Sequence, residues 1–173
     1  MRLGAALATT VAASAVVVGT GSASAGSGEG HPVLRVRDWV GVPLAYTGDK
    51  APIRDRAGGG LPWVIERADV RLSADGTLRV DVRGLVLADE EAVPVARRGT
   101  NPAPGFGVVV SCQTVVAGVA DVQDLVSPVV PATPAGDARA RVQMGELPDP
   151  CLAPVVFLTS PTGAWFAVGG VDG

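Results

Sequence analysis

Two stretches of alternating apolar and polar residues, joined by a short turn, constrain the fold of this chain more than any other feature. Residues 67–72 (RADVRL) and 78–83 (LRVDVR) each place an apolar side chain at every second position. A period of two puts alternate side chains on opposite faces of a strand, so each stretch predicts a strand with one buried and one solvated face. Residues 73–76 (SADG) supply the Asp and Gly that a tight turn favours. The segment 63–87 therefore predicts an antiparallel hairpin.

Strand signals recur along the rest of the chain, whereas no window of eleven or more residues after Gly26 has a helical period. The β-branched run FGVVVSC at 106–112 predicts a buried strand, and Ala117-Gly118 marks a turn into a further strand. Residues 137–144 alternate again, and residues 155–159 and 164–168 flank a Ser-Pro-Thr-Gly turn. We therefore expect an all-β protein, an antiparallel two-sheet β-sandwich of immunoglobulin-like type with about seven or eight strands.

The first 25 residues have the pattern of a secretory signal peptide. Arg2 precedes an uncharged apolar stretch at 3–19, and Ala23-Ser24-Ala25 has the small residues of a cleavage site. The stretch is rich in Ala, Thr and Gly and is short for a membrane span, so we expect no stable membrane anchor after cleavage. The prediction is a secreted, extracellular protein with a signal peptide at 1–25.

After the predicted cleavage site, the chain has the size of one domain. Residues 26–32 (GSGEGHP) predict a flexible mature N-terminus, and residues 33–173 predict a single β-sandwich domain. Its first part, 33–62, is rich in loop-forming residues, and Gly58-Gly59-Gly60 has the flexibility of a hinge.

The chain has two cysteines, Cys112 and Cys151. In an exported protein such a pair predicts one disulfide, whereas a metal site would need further Cys or His ligands and His31 is the only histidine. Closing a loop of about 40 residues stabilises a domain by roughly 4 kcal/mol in the chain-entropy model. We expect the bond to staple two strands, or a strand and its entering loop, across the core.

Charge composition predicts neither nucleic acid nor an anionic membrane as partner. The chain has 14 basic and 17 acidic residues, a net charge of −3, and no basic run beyond Arg97-Arg98. Both kinds of partner need a clustered positive surface. All but one of the basic residues are arginines, which we attribute to the codon bias of a GC-rich genome.

The sequence predicts no catalytic residue, no cofactor and no metal site. His31 is the only histidine, and it lies in the predicted flexible terminus, where it cannot hold a reacting group in place. Carboxylates are the remaining candidates for a site. Two of them could form the catalytic pair of a glycosidase, or several could bind calcium. These are Asp89, Glu90, Glu91, Asp121, Asp124, Glu146 and Asp149.

Two tryptophans are candidates for a binding surface, because flat exposed aromatic side chains commonly contact sugars. Trp63 follows Leu-Pro beside the glycine run, and Trp165 begins the last apolar run. Trp165 and Phe166 fall on opposite faces of one strand, so at least one of them belongs to the core. The pattern leaves open whether Trp63 or Trp165 is exposed.

The segments GGGLPWVIERADVRLSADGTLRVDVRGLVL, GTNPAPGFGVVVSC and PCLAPVVFLTSPTGAWFAV give the chain a resemblance to a known group. It resembles small, functionally uncharacterised secreted proteins of actinobacterial type. The resemblance implies a secreted β-domain with one disulfide and no particular activity. Together these features predict a non-catalytic binding or structural module with an extracellular or cell-surface partner. The alternative is a secreted, glycosidase-like hydrolase that uses a carboxylate pair.

Overall fold

A computed structural model describes residues 31–171. The predicted signal peptide and most of the predicted flexible N-terminus lie outside the described residues. The strands are β1 (Pro32–Val36), β2 (Trp39–Gly41), β3 (Trp63–Val64), β4 (Arg67–Ser73), β5 (Thr77–Arg83), β6 (Val86–Leu87), β7 (Gly105–Val116), β8 (Val119–Val126), β9 (Val130–Pro131), β10 (Ala138–Gln143), β11 (Leu152–Thr159) and β12 (Trp165–Gly170). Short 3-10 turns cover Leu44–Tyr46 and Val95–Arg97.

The strands form antiparallel sheets, which confirms the predicted all-β sandwich. The described residues contain twelve strands in three sheets, however, where about seven or eight strands were expected, because several short pairings such as β3 with β6 have no alternating pattern long enough to predict a strand. The four-stranded sheet, called sheet A below, has the order β1-β4-β5-β10. The larger sheet, called sheet B, has the order β2-β12-β11-β7-β8, with β9 paired to β7. β3 and β6 pair as a small third sheet. In the described part of the chain, no helix is long and apolar enough to cross a membrane.

The predicted hairpin is β4 and β5. Leu72 lies opposite Leu78 at its closed end. The Asp75 carboxylate accepts a hydrogen bond of 3.0 Å from the backbone N–H of Thr77, and Gly76 has a φ of +75°. These two residues therefore build the turn as the sequence predicts, since Asp stabilises the bend and Gly tolerates the left-handed backbone.

The core lies between the two sheets. The apolar residues of the alternating strands of sheet A, such as Val70 and Val80, are fully buried. They face β7 and β11, whose central residues Val110 and Val156 are also fully buried. Burial of these aliphatic side chains stabilises the fold by about 1.5–3 kcal/mol each.

Part of the second face of sheet B, around Phe157 and Trp165, is covered by the long loop at 43–62. The backbone N–H of Gly59 donates to the Trp165 carbonyl at 2.7 Å, and that of Trp165 donates to the Ala57 carbonyl at 3.0 Å. The Arg56 guanidinium lies 5.8 Å from the centre of the Phe157 ring. The predicted loop-rich segment is therefore a structural layer.

The glycine run inside this loop is packed and does not form an open hinge. A Cβ on Gly58 would overlap the carbonyl oxygen of Tyr46, and one on Gly59 would approach Phe166 and Trp63. Of the three glycines, only Gly60 faces open space. The first two glycines are required because backbone and rings approach them closely.

The predicted disulfide between Cys112 and Cys151 is present, and the two Cα atoms lie 5.0 Å apart. Cys112 belongs to β7, and Cys151 immediately precedes β11, the neighbour of β7 in sheet B. The bond thus links β7 to the residue that precedes the neighbouring strand. This agrees with the second of the two expectations, a bond between a strand and its entering loop. It acts within one sheet, however, and does not cross the core from sheet to sheet.

Candidate functional site

The two tryptophans proposed as a binding surface lie in the core. Trp63 is 5% exposed and Trp165 is 1% exposed. Trp63 stacks on Phe166 with ring centres 3.9 Å apart, and Trp165 packs near Tyr46 and Phe157. Neither residue offers the flat exposed ring that a sugar-binding platform needs.

The carboxylates proposed for catalysis or calcium binding lie on separate segments. Asp89, Glu90 and Glu91 lie between β6 and β7, Asp121 and Asp124 lie on β8, and Glu146 and Asp149 precede β11. Asp124 pairs with Arg56 at 2.5 Å and Asp89 with Arg98 at 3.2 Å. Among residues 31–171, no group of three or more His, Cys, Asp or Glu is placed to hold a metal ion.

The most distinctive surface is the outer face of sheet A, which we call the arginine face. Its strands bury every second residue against the core, so the intervening residues point outward. The arginine face consists of Arg35, Arg67, Arg71, Arg79, Arg83, Arg139 and Arg141, together with Asp69 and Asp81.

The strand register arranges these residues in rows across the sheet. The pairs Arg35–Arg71, Arg71–Arg79 and Arg79–Arg141 each lie directly opposite on neighbouring strands. Four arginines, one per strand, therefore form a continuous line, which we call the arginine row. Since neighbouring strands are about 4.8 Å apart, the row extends over about 14 Å.

A second row places two aspartates beside the arginine row, where Asp69 lies opposite Asp81. Asp69 accepts two hydrogen bonds from Arg71, at 2.8 and 2.7 Å, and one of 2.6 Å from Arg35. The hydrogen bonds from Arg71, followed by those from Arg35, lower the pKa of Asp69 from 3.8 to about 2, against the opposing effect of its partial burial. Asp69 is thus an internal counter-ion that stays ionised.

Asp81 has the same function further along the second row. Its carboxylate pairs with Arg139 and lies 3.5 Å from the Nε of Arg83. Arg83 also lies 3.5 Å from the carboxylate of Asp137 at the end of the sheet. Each aspartate therefore bridges two arginines and holds their side chains over the sheet.

The arginine face keeps a large positive excess after this pairing. Its seven arginines outnumber the carboxylates of Asp69, Asp81 and Asp137 that pair with several of them, in a chain whose net charge is −3. Each guanidinium has five N–H donors and each carboxylate accepts about four, so the donors far outnumber the acceptors within the face. The surface has a shallow depression above Val80 and Ala140 that the charged side chains line. Such a surface is suited to binding anions.

The sequence does not reveal this surface as a basic run, because its arginines do not occupy consecutive positions. Charged residues, most of them arginines, occupy every second position of three separate segments, at 67–71, 79–83 and 139–141. The apolar half of that alternation predicts the strands, and the polar half indicates a charged face. Arg35 belongs to the arginine face only because β1 pairs with β4.

Comparison with protein-family models, curated proteins and solved structures yields no match for this chain.

Proposed function

We propose that the protein is a secreted, non-catalytic binding module that holds an anionic partner outside the cell on its arginine face. The observation that carries the proposal is the presence of seven arginines on one sheet face of a chain with a net charge of −3. Clustered charge of one sign raises the local concentration of oppositely charged partners and speeds their association. Codon bias accounts for arginine in place of lysine, but it does not account for gathering seven of them on one face.

Two features support an extracellular location. The N-terminal residues have the pattern of a signal peptide. The disulfide between Cys112 and Cys151 belongs to the chemistry of oxidising compartments.

The alternative, hydrolysis by a carboxylate pair, has its best candidates in Asp69 and Asp81, which lie opposite each other on β4 and β5. A glycosidase needs one carboxyl group that is protonated near neutral pH, which requires a raised pKa. The arginines lower the pKa of Asp69 to about 2 instead. Its pairing therefore supports a role in holding arginine side chains over one in proton transfer.

The test is to collect the protein from the medium of an expressing host and measure binding and turnover on the same preparation. Particles that carry carboxylate or sulfate groups, neutral particles and amine-coated particles measure the charge preference at physiological salt. A panel of glycoside and ester substrates measures hydrolysis. We expect capture by the anionic particles and no turnover.

Two results would overturn the proposal. One is equal capture by all three kinds of particle. The other is turnover of a substrate that disappears in folded Asp69→Asn or Asp81→Asn protein, because it would assign the carboxylates to catalysis.

A further inference from the structure

The strand β8 forms one edge of sheet B and is exposed along its length. Of the described strands, only β7 pairs with it, in an uninterrupted register from Val119 to Val126. Seven of its eight residues are exposed, and Val119, Val122 and Val126 present large apolar side chains to solvent. A long edge strand with apolar side chains is a template on which another strand can pair.

The other edges of the two large sheets have features that hinder such pairing. β1 begins with Pro32 and has an irregular register between Pro32 and Leu34. β10 carries Arg139 and Arg141, and β2 is only three residues long. Proline, charged side chains, irregular register and short length each hinder contact between edges. Residues 119–126 contain no proline, lysine or arginine, so β8 is the edge suited to a partner.

The backbone of β8 also has hydrogen-bonding groups directed away from the sheet. Ser127, one residue beyond the strand, donates its N–H to the Val108 carbonyl at 2.9 Å, so its backbone faces β7. Because successive residues of an antiparallel strand face opposite sides, the backbone of Val122 faces outward. Its N–H donates to the exposed carboxylate of the adjacent Asp121 at 2.8 Å. The N–H and C=O groups of alternate residues at 120–126 are therefore open to a partner strand.

We propose that the protein forms a dimer in which β8 pairs antiparallel with β8 of a second copy, around a two-fold axis at Val122. This arrangement places Val122 opposite its own copy. Asp121 then lies opposite Gln123, whose amide can donate to the carboxylate. Val119 lies opposite Leu125, so apolar side chains meet on both sides of the axis. The edge is complementary to itself, which a two-fold interface requires.

The proposed register also joins the outward backbone groups of the two strands. Val122 exchanges two hydrogen bonds with its copy, and Ala120 exchanges two with Asp124 on either side of the axis, about six bonds in all. The Asp124 carboxylate remains paired with Arg56, at 2.5 Å. Asp124 therefore brings no unpaired charge to the contact.

Neighbouring positions of the axis give poorer pairs. An axis at Gln123 would place the Asp121 carboxylate opposite Leu125. An axis at Asp121 or at Asp124 would place two copies of one carboxylate opposite each other, which destabilises a sheet. The axis at Val122 avoids both kinds of contact.

The dimer presents its two arginine faces on the same side. The axis runs perpendicular to sheet B at the contact, so the face of sheet B that sheet A covers points the same way in both copies. The arginine face is the outer side of sheet A. On the function proposed above, an anionic partner with several charged groups can contact both arginine faces at once and bind more tightly. The dimer itself does not depend on that function.

The experiment is sedimentation velocity of the protein collected from the medium, at about 1–500 µM, which measures its mass and the Kd of the dimer. The test variants are Val122→Lys and Val122→Glu, each of which places like charges opposite each other on the axis. An equimolar mixture of the two variants is measured as well. The control is Val40→Lys, the same change at an exposed valine of β2, the opposite edge of sheet B. Circular dichroism checks that each variant is folded.

We expect the unaltered protein to dimerise with a Kd of about 1–100 µM, since one strand from each copy makes a small interface. Val122→Lys and Val122→Glu should each raise the Kd at least about tenfold, whereas Val40→Lys should stay within about twofold. The mixture should recover the dimer, because side chains of opposite charge then face each other. Amide hydrogen exchange at 120, 122 and 124 should be slower in the dimer than in the monomer.

A monomer at every concentration would overturn the proposal, and so would an equal effect of Val40→Lys and Val122→Lys. A mixture of the two test variants that stays monomeric would contradict the axis at Val122. Binding of a monomer to phosphatidylcholine vesicles, lost in Val122→Glu, would assign the β8 edge to a membrane instead. Each of these results leaves anion capture by the arginine face unaffected, so the two proposals can fail separately.

Discussion

Arg71 lies directly opposite Arg79 across the β4–β5 hairpin, so two positive charges face each other at the centre of a four-stranded sheet. Like charges in this position destabilise a sheet. Arg35 and Arg141 extend the same row on either side. Asp69 offsets part of this repulsion by pairing with Arg35 and Arg71. An anionic partner would relieve more of it, which supports the proposed binding function.

The contribution of Asp69 to stability should be lost in acid. Its pKa in the folded protein is about 2, below the ordinary 3.8, so its ionised form favours folding above about pH 4. As pH falls from 4 to 2 the unfolded chain takes up this proton first, and stability declines. The free-energy gap between the unaltered protein and Asp69→Asn should therefore be constant near neutrality and close over that range.

Near neutrality, the free energy of unfolding of the unaltered protein should exceed that of Asp69→Asn by about 1 kcal/mol or less, because the ion pairs of Asp69 with Arg35 and Arg71 are partly exposed. Asp49→Asn, which removes an exposed loop carboxylate, is the matched control for the charge change. Unfolding monitored by tryptophan fluorescence at several pH values measures both variants. A gap for Asp69→Asn that stays the same down to pH 2 would argue against the arginine-held carboxylate.

The features that could be predicted from the sequence are those that depend on neighbouring residues. Asp75 and Gly76 specify a tight turn, and alternation specifies the strands on either side of it. The cysteine pairing was predictable because only two cysteines exist. The arginine row depends on the pairing of strands that are distant along the chain, and the net charge of the chain contains no information about that arrangement.

Whether Trp63 and Trp165 are exposed could not be predicted either, but the reason is different. An alternating pattern identifies a solvent-exposed face only where one side of a sheet meets solvent. Around Phe157 and Trp165, sheet B is covered by sheet A on one face and by the loop at 43–62 on the other, so apolar residues of both faces are buried there. The burial of Trp165 follows from that loop, whose packing no local pattern specifies.

Two glycines of the run at 58–60 should change stability differently when each is replaced by alanine. Gly58→Ala should lower the free energy of unfolding by about 1–3 kcal/mol, because the new methyl group would overlap the backbone at Tyr46. Gly60→Ala should be neutral or slightly stabilising, since its surroundings are open and alanine restricts the unfolded chain. Chemical denaturation of the two variants measures the contrast. Equal, small effects would show that the loop does not pack as described.

Removing the disulfide should destabilise the fold substantially. Cys112 and Cys151 are separated by 39 residues, and removal of such a link typically costs about 2–4 kcal/mol. Thermal unfolding with and without reductant should show a lower Tm for the reduced protein. Cys112→Ala/Cys151→Ala should have a low Tm that reductant does not change. A Tm of the unaltered protein that is insensitive to complete reduction would contradict this contribution.

The most direct test of the central claim is the salt needed to elute the protein from a sulfonate cation exchanger at pH 7.5. With a net charge of −3 and a pI near 5.1, a protein with evenly distributed charge would pass through. We predict that this protein is retained by its arginine face. Arg79→Gln/Arg141→Gln should elute at clearly lower salt, while Lys50→Gln/Arg97→Gln should elute close to the unaltered protein. Passage of the unaltered protein through the column without retention would contradict the claim.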